Sequence, residues 1–173
     1  YPDLKNRMTL DVYGCELDAV SRKALRECPL GEVLIEHGRV EYDPKTGKSG
    51  RQIVMEAMKI TDVLILLHGT EGNTCYEYVP SKLFEYLLTG RPILGLITSE
   101  TELEEFLIET RHTYVDKIDI AKVRDAIKAY IDQWNTTGLP DRPVESPFTV
   151  EATANKLIAA VSQIDAAAGR NKS

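Results

Sequence analysis

The chain has 173 residues, 43% apolar and 28% charged, with a formal net charge of -6. That length and composition belong to a globular protein with a full core, which excludes disorder throughout. The acidic balance argues against a general nucleic-acid or anionic-membrane surface and leaves room only for a local pocket that holds one phosphate group.

Residues 8–13 alternate around Leu10 and Val12, which predicts a strand closed by Gly14. Leu17, Val20, Ala24, Leu25 and Cys28 recur at helical spacing until Pro29 and Gly31 stop them. A short strand over 33–36 ends at Gly38, and a polar loop over 41–50 follows. Ile53, Ala57 and Ile60 mark the next helix, which runs into an apolar strand over 63–67.

Between Pro80 and Gly90 a short helix is bracketed, with Pro80 suited to its first position and Gly90 to the left-handed residue that ends it. Leu83, Phe84, Leu87 and Leu88 fall on its inner face; Lys82, Glu85, Tyr86 and Thr89 fall on the other. A buried strand over 93–97 comes next, and Ser99 with Glu102 has capping-box spacing before a helix with Leu103, Phe106 and Leu107 inward. A strand over 113–115 precedes a helix capped by Asp119, whose stripe of Ile120, Val123, Ile127, Tyr130, Ile131 and Trp134 is the clearest in the chain. After a loop with three prolines, Thr149 opens a last helix carrying Leu157, Ile158, Val161 and Ile164, and a flexible tail is expected from Ala166.

Strand and helix thus alternate, with connections long enough for crossovers. The expected fold is α/β: one Rossmann-like domain over 1–165, a parallel sheet with helices on both faces.

Three cysteines, Cys15, Cys28 and Cys75, at unrelated spacings fit neither a disulfide framework nor a zinc site, which points to a reducing, cytoplasmic compartment. No apolar run approaches the ~20 residues that span a bilayer. The chain opens at Tyr1 without the layout of a signal peptide, and is read as a piece of a longer protein.

Several motifs carry less than they suggest. Gly47-Lys48-Ser49 ends like a phosphate loop, but Tyr42 stands where that loop needs glycine, so a solvated loop is the better reading. No G-x-G-x-x-G occurs, which weakens a nicotinamide or flavin dehydrogenase. His37, His68 and His112 are dispersed, without a metal-ligand partner at helical or hairpin spacing; His68 ends the strand that leads into the candidate site.

Glu77 and Glu85 carry more. Seven residues separate them, in a chain with 27 acidic residues, and the plainer reading is a solvated helix face. Their position following a buried strand is what singles them out, because ligands bind at the carboxyl ends of parallel strands. Carboxylates accept hydrogen bonds from hydroxyls, and helix starts favour phosphate. A sugar nucleotide offers both kinds of group.

The segment Glu77-Tyr78-Val79-Pro80-Ser81-Lys82-Leu83-Phe84-Glu85, with Gly90-Arg91-Pro92-Ile93-Leu94 after it, resembles the E-x7-E signature and following strand of group 1 glycosyltransferases of the GT-B fold. The resemblance extends upstream through 61–67 and to the strand ending His37-Gly38-Arg39-Val40. It implies one half of a GT-B fold: the C-terminal domain that binds a nucleotide-sugar donor, here a uridine or guanosine diphosphate sugar. It further implies that Glu77 meets the donor sugar, Glu85 the ribose, the backbone of Ser81, Lys82 and Leu83 the diphosphate, and the turn Gly38-Arg39-Val40 the base. Retaining transfer in polysaccharide biosynthesis is the implied activity.

The chain departs from the family at Pro80, where many members have glycine. The family's first donor-domain strand, and the basic residue after it, are not in the sequence. By this reading the chain alone is inactive and needs an N-terminal acceptor-binding domain. No D-x-D motif occurs, so neither metal nor cofactor is expected. Nucleic acid is not an expected partner, and any membrane association would come through segments outside the chain or a lipid-linked acceptor. Two alternatives share the architecture: a non-catalytic nucleotide-sugar-binding or assembly domain, and half of a sugar-nucleotide epimerase.

Overall fold

The computed structural model describes residues 3–14, 16–28, 31–68, 79–98, 102–139 and 149–170. They gather in two compact units, Tyr1–Ala57 and Met58–Ser173. The architecture is α/β and Rossmann-like, and every strand pair is parallel.

In the first unit β1 (Leu10–Tyr13) pairs with β2 (Leu34–Gly38). Between them runs α1 (Ala19–Arg26), started by Asp18, whose carboxylate accepts from Ser21 N at 2.8 Å. The apolar residues at helical spacing on α1 are unevenly covered: Leu25 is half-buried, while Val20 is 80% exposed and Ala24 is exposed as well. Helical spacing is present, but a two-stranded sheet offers too little surface to cover it. Among the described residues of this unit Val33 is the one buried apolar side chain.

α2 (Gly50–Ile60) begins with a capping box that the sequence reading did not use, Ser49 Oγ and Gln52 Oε1 exchanging bonds with each other's backbone N–H. Its start is pressed against the chain, since a side chain on Gly50 would collide with the Val40 carbonyl. Met58 is the buried side chain of the helix; of the apolar residues that marked it, Ile53 and Ala57 are half-buried and Ile60 is exposed. The 41–50 loop is a turn organised by Asp43, which accepts from Lys45 N and Thr46 Oγ1, while Lys48 pairs with Glu56 at 2.7 Å. Lys48 is thereby engaged as a solvated loop residue, as its sequence context suggested.

The second unit holds the three-stranded sheet β3-β4-β5, formed by Leu64–Leu67, Ile93–Ile97 and Thr113–Asp116. β4 is central, and Ile93, Leu94 and Ile97 are at most 2% exposed. Both of its faces are apolar, as expected of a strand covered on both sides. At Gly95 an added methyl group would press on Leu107 Cδ1 at 2.5 Å, so α4 (Glu102–Glu109) packs against bare backbone there. Leu103 and Leu107 of α4 are fully buried, matching their expected inward placement, with Leu66 and Leu83 in the same core. Ser99, the other half of the expected capping box, lies outside the described residues.

α5 (Ile120–Thr137) starts as expected at Asp119, whose carboxylate accepts from Lys122 N at 3.0 Å. Its stripe is only half covered, because the helix lies along the edge strand β5; Ile120 is 74% exposed and Tyr130 reaches in to donate to the Ile93 carbonyl. α6 (Val150–Arg170) is capped by Thr149 and continues through the stretch from Ala166 that the sequence reading gave to a tail, in keeping with the helix propensity of its alanines. Leu157, Ile158, Val161 and Ile164 are all at least half exposed. Among the described residues no helix is long and apolar enough to cross a membrane.

Candidate functional site

α3 (Ser81–Leu87) stands in sequence between β3 and β4 and carries most of the described candidate residues. Pro80 is its N-cap rather than its first helical residue, because its ψ of 132° is extended, and the Leu83 amide donates to the Pro80 carbonyl at 2.9 Å. Leu83 and Leu87 anchor the helix in the core, whereas Ser81 and Lys82 are exposed. The helix ends at Leu87, so Leu88, expected inward, sits in the following turn and is 45% exposed. Gly90 closes that turn in the left-handed region, φ 71°, as its place in the sequence required.

Glu85 is half-buried on the third turn position after Lys82, beside Tyr86. Tyr86, expected on the solvent side, is half-buried too: burial raises its phenol pKa, and the neighbouring Glu85 charge adds to the rise. The Thr89 hydroxyl donates to the Tyr86 carbonyl at 2.6 Å and accepts from Arg91 N at 3.1 Å, which ties the helix end to the entry of β4. Glu77, the candidate for the donor sugar, lies outside the described residues, and so does Cys75.

At the carboxyl ends of the three strands stand His68 after β3, Thr98 after β4 and Lys117 after β5. His68 is 3% exposed; its N–H donates to the Leu96 carbonyl, and its own carbonyl accepts from Lys117 Nζ at 2.8 Å. Lys117 therefore brings a cation to the edge where parallel sheets bind ligands. Sequence reasoning passed over it; the available signal was its place directly after an edge strand. His112 has a structural role, its Nδ1 accepting from Ile93 N at 3.3 Å.

Gly38, Arg39 and Val40 belong to the first unit. Gly38 ends β2 in the left-handed region, φ 63°, and its carbonyl accepts from Gly14 N at 2.8 Å. Arg39 extends into solvent and pairs with Glu41 at 3.0 Å. Just before this turn is a cluster that the dispersed histidines did not reveal. His37 Nε2 lies 2.6 Å from Asp11 Oδ1, and its ring stacks on Tyr13 with centroids 4.1 Å apart and planes 4° from parallel.

The hydrogen bond from His37 is the main reason the Asp11 carboxyl titrates below the usual carboxylate range. A folded-state value below the unfolded one stabilises the fold above that range and loses the contribution as pH falls through the folded value. The stability gap between wild type and Asp11→Asn should therefore be full near neutrality and close in acid. Urea titrations at several pH values read it, and a gap that persists unchanged in acid would contradict the pairing.

Among the described residues no group of three or more histidine, cysteine, aspartate or glutamate side chains is arranged to hold a metal ion. Comparison with models of known protein families, with curated proteins and with solved structures finds no match.

Proposed function

We propose that the chain is the donor-binding domain of a retaining, metal-independent glycosyltransferase, and that its ligand is a nucleoside diphosphate sugar. The observation that carries this reading is α3 itself. A helix that stands in sequence between two parallel strands and is anchored by Leu83 and Leu87 holds Glu85 half-buried, and the chain then turns through a left-handed Gly90 into the buried strand β4. This is the local structure expected of the second half of an E-x7-E segment and its G-x-P strand. In this reading Glu85 accepts from the ribose hydroxyls, and Glu77 faces the sugar.

The frame around α3 is consistent with this reading, because β3, β4 and β5 pair in parallel as in a Rossmann-like sheet.

Thermal unfolding in the presence of uridine, guanosine and adenosine diphosphates and their sugars tests the proposal. A ligand at a hundred times its dissociation constant stabilises by about 2.7 kcal/mol, which is readily measured. At least one uridine or guanosine compound should raise the midpoint, to the same extent with and without chelator. No shift with any of them at millimolar concentration, or strict dependence on magnesium or manganese, would overturn it.

A further inference from the structure

α6 is covered on almost no side. From Val150 to Ile164 every residue is exposed except Ala152, which is half-buried. Val150 is 89% exposed, Leu157 65% and Ile164 67%. Most of the stability of a helix in a protein comes from packing an amphipathic face, and α6 leaves its own apolar side chains in water. Contiguous exposed apolar surface of this kind marks an interaction site.

The apolar face is a narrow seam. Val150, Ala154, Leu157, Val161 and Ile164 follow one another at spacings of four, three, four and three, the alternation that keeps one side of a helix against a second helix. Ala152 lies about 140° around the helix axis from Leu157, so the contact that half-buries it is made by the opposite side of the helix. The seam is left uncovered.

We propose that the seam pairs with the same seam of a second copy of the chain, the two α6 helices lying antiparallel. Turned end for end, the seam sets Leu157 against Val161 and Ala154 against Ile164, so the larger side chain of each pair meets a smaller one and a two-fold axis repeats every contact. Area supports a dimer as well: the five seam side chains, with Ile158 beside them, offer on the order of 500 Å² per copy, so the pair reaches the roughly 1,000 Å² that a specific interface needs. Charge argues against a membrane surface as the cover, because that calls for a polar face rich in lysine and arginine, whereas the charged residues over 150–164 are Glu151 and Lys156.

Sedimentation equilibrium on the full chain reads the association. Wild type should pass from monomer to dimer between about 1 and 500 µM. Leu157→Lys puts a charge in the seam and should raise the dissociation constant at least about tenfold, while Asn155→Lys, on the far side of the helix, should leave it unchanged. Val161→Glu should weaken the dimer too. An equimolar mixture of Leu157→Lys with Val161→Glu should restore it, because the two substituted side chains face each other across the antiparallel seam. The mixture distinguishes a lost contact from a helix that no longer folds, since an unfolded helix would not be rescued. Wild type that stays monomeric at every concentration, a dimer that Leu157→Lys leaves intact, or a mixture that fails to associate would overturn the proposal.

Discussion

Leu66→Ala should destabilise the protein by about 2–5 kcal/mol, whereas Leu67→Ala, its neighbour on the same strand, should change stability by no more than about 0.5 kcal/mol. Both residues belong to one apolar run, and the sequence does not distinguish them. The structure does: Leu66 is 1% exposed and Leu67 is 63% exposed, because successive side chains of β3 point to opposite faces. Removing Leu66 takes away transfer free energy and leaves a cavity in the core to which Leu83, Ile93 and Leu103, all fully buried, also belong. Removing Leu67 changes a surface that water already reaches. Urea unfolding with an unaltered slope would show the difference as a shift in midpoint. A cost at Leu67 comparable to that at Leu66 would mean that its face is covered in solution.

Features written locally in the sequence could be read from it. Asp119 and Thr149 announce helix starts because a cap is a bond between residues three apart, and both bonds are present. The runs that became β3 and β4 could be recognised as strands because each is an unbroken apolar run, but only β4 is covered on both faces, whereas β3 exposes Ile65 and Leu67. Gly90 was legible for a similar reason, since the left-handed turn it closes is specified within a few residues.

Burial was less legible, because helical spacing says which residues share a face and not whether anything covers it. Val20, Ile60, Leu88 and Ile120 all sit on plausible apolar stripes and are all exposed. The Asp11–His37 pair was hidden for a different reason. Its partners are 26 residues apart and meet only through the pairing of β1 with β2. No local spacing encodes that contact. Lys117 is similar, reaching back 49 residues to the His68 carbonyl. Of the candidate site, the place of Glu85 on a helix between two strands was legible, while the half-burial of Tyr86 beside it was not.

The two glutamates should separate by ligand. If Glu85 holds the ribose, Glu85→Gln weakens free nucleoside diphosphate and nucleotide sugar alike, since both contain ribose. If Glu77 holds the sugar, Glu77→Gln weakens only the sugar ester and spares the free diphosphate. A hydrogen bond to a charged group contributes about 1.5–3 kcal/mol, so each loss should be on the order of ten- to a hundredfold in affinity. Glutamine keeps the shape of the side chain and removes the charge, which limits disturbance of the Leu83 and Leu87 anchors on the same helix. The variant has an internal reporter as well. Because the Glu85 charge contributes to the raised Tyr86 pKa, Glu85→Gln should bring the phenol titration part of the way back, with burial holding the remainder. Absorbance titration of tyrosinate confirms that the substitution acts where intended, and calorimetry then gives the four affinities. A Tyr86 titration that moves while all four affinities stay at wild-type values would leave Glu85 as a helix-face carboxylate and remove it from the site.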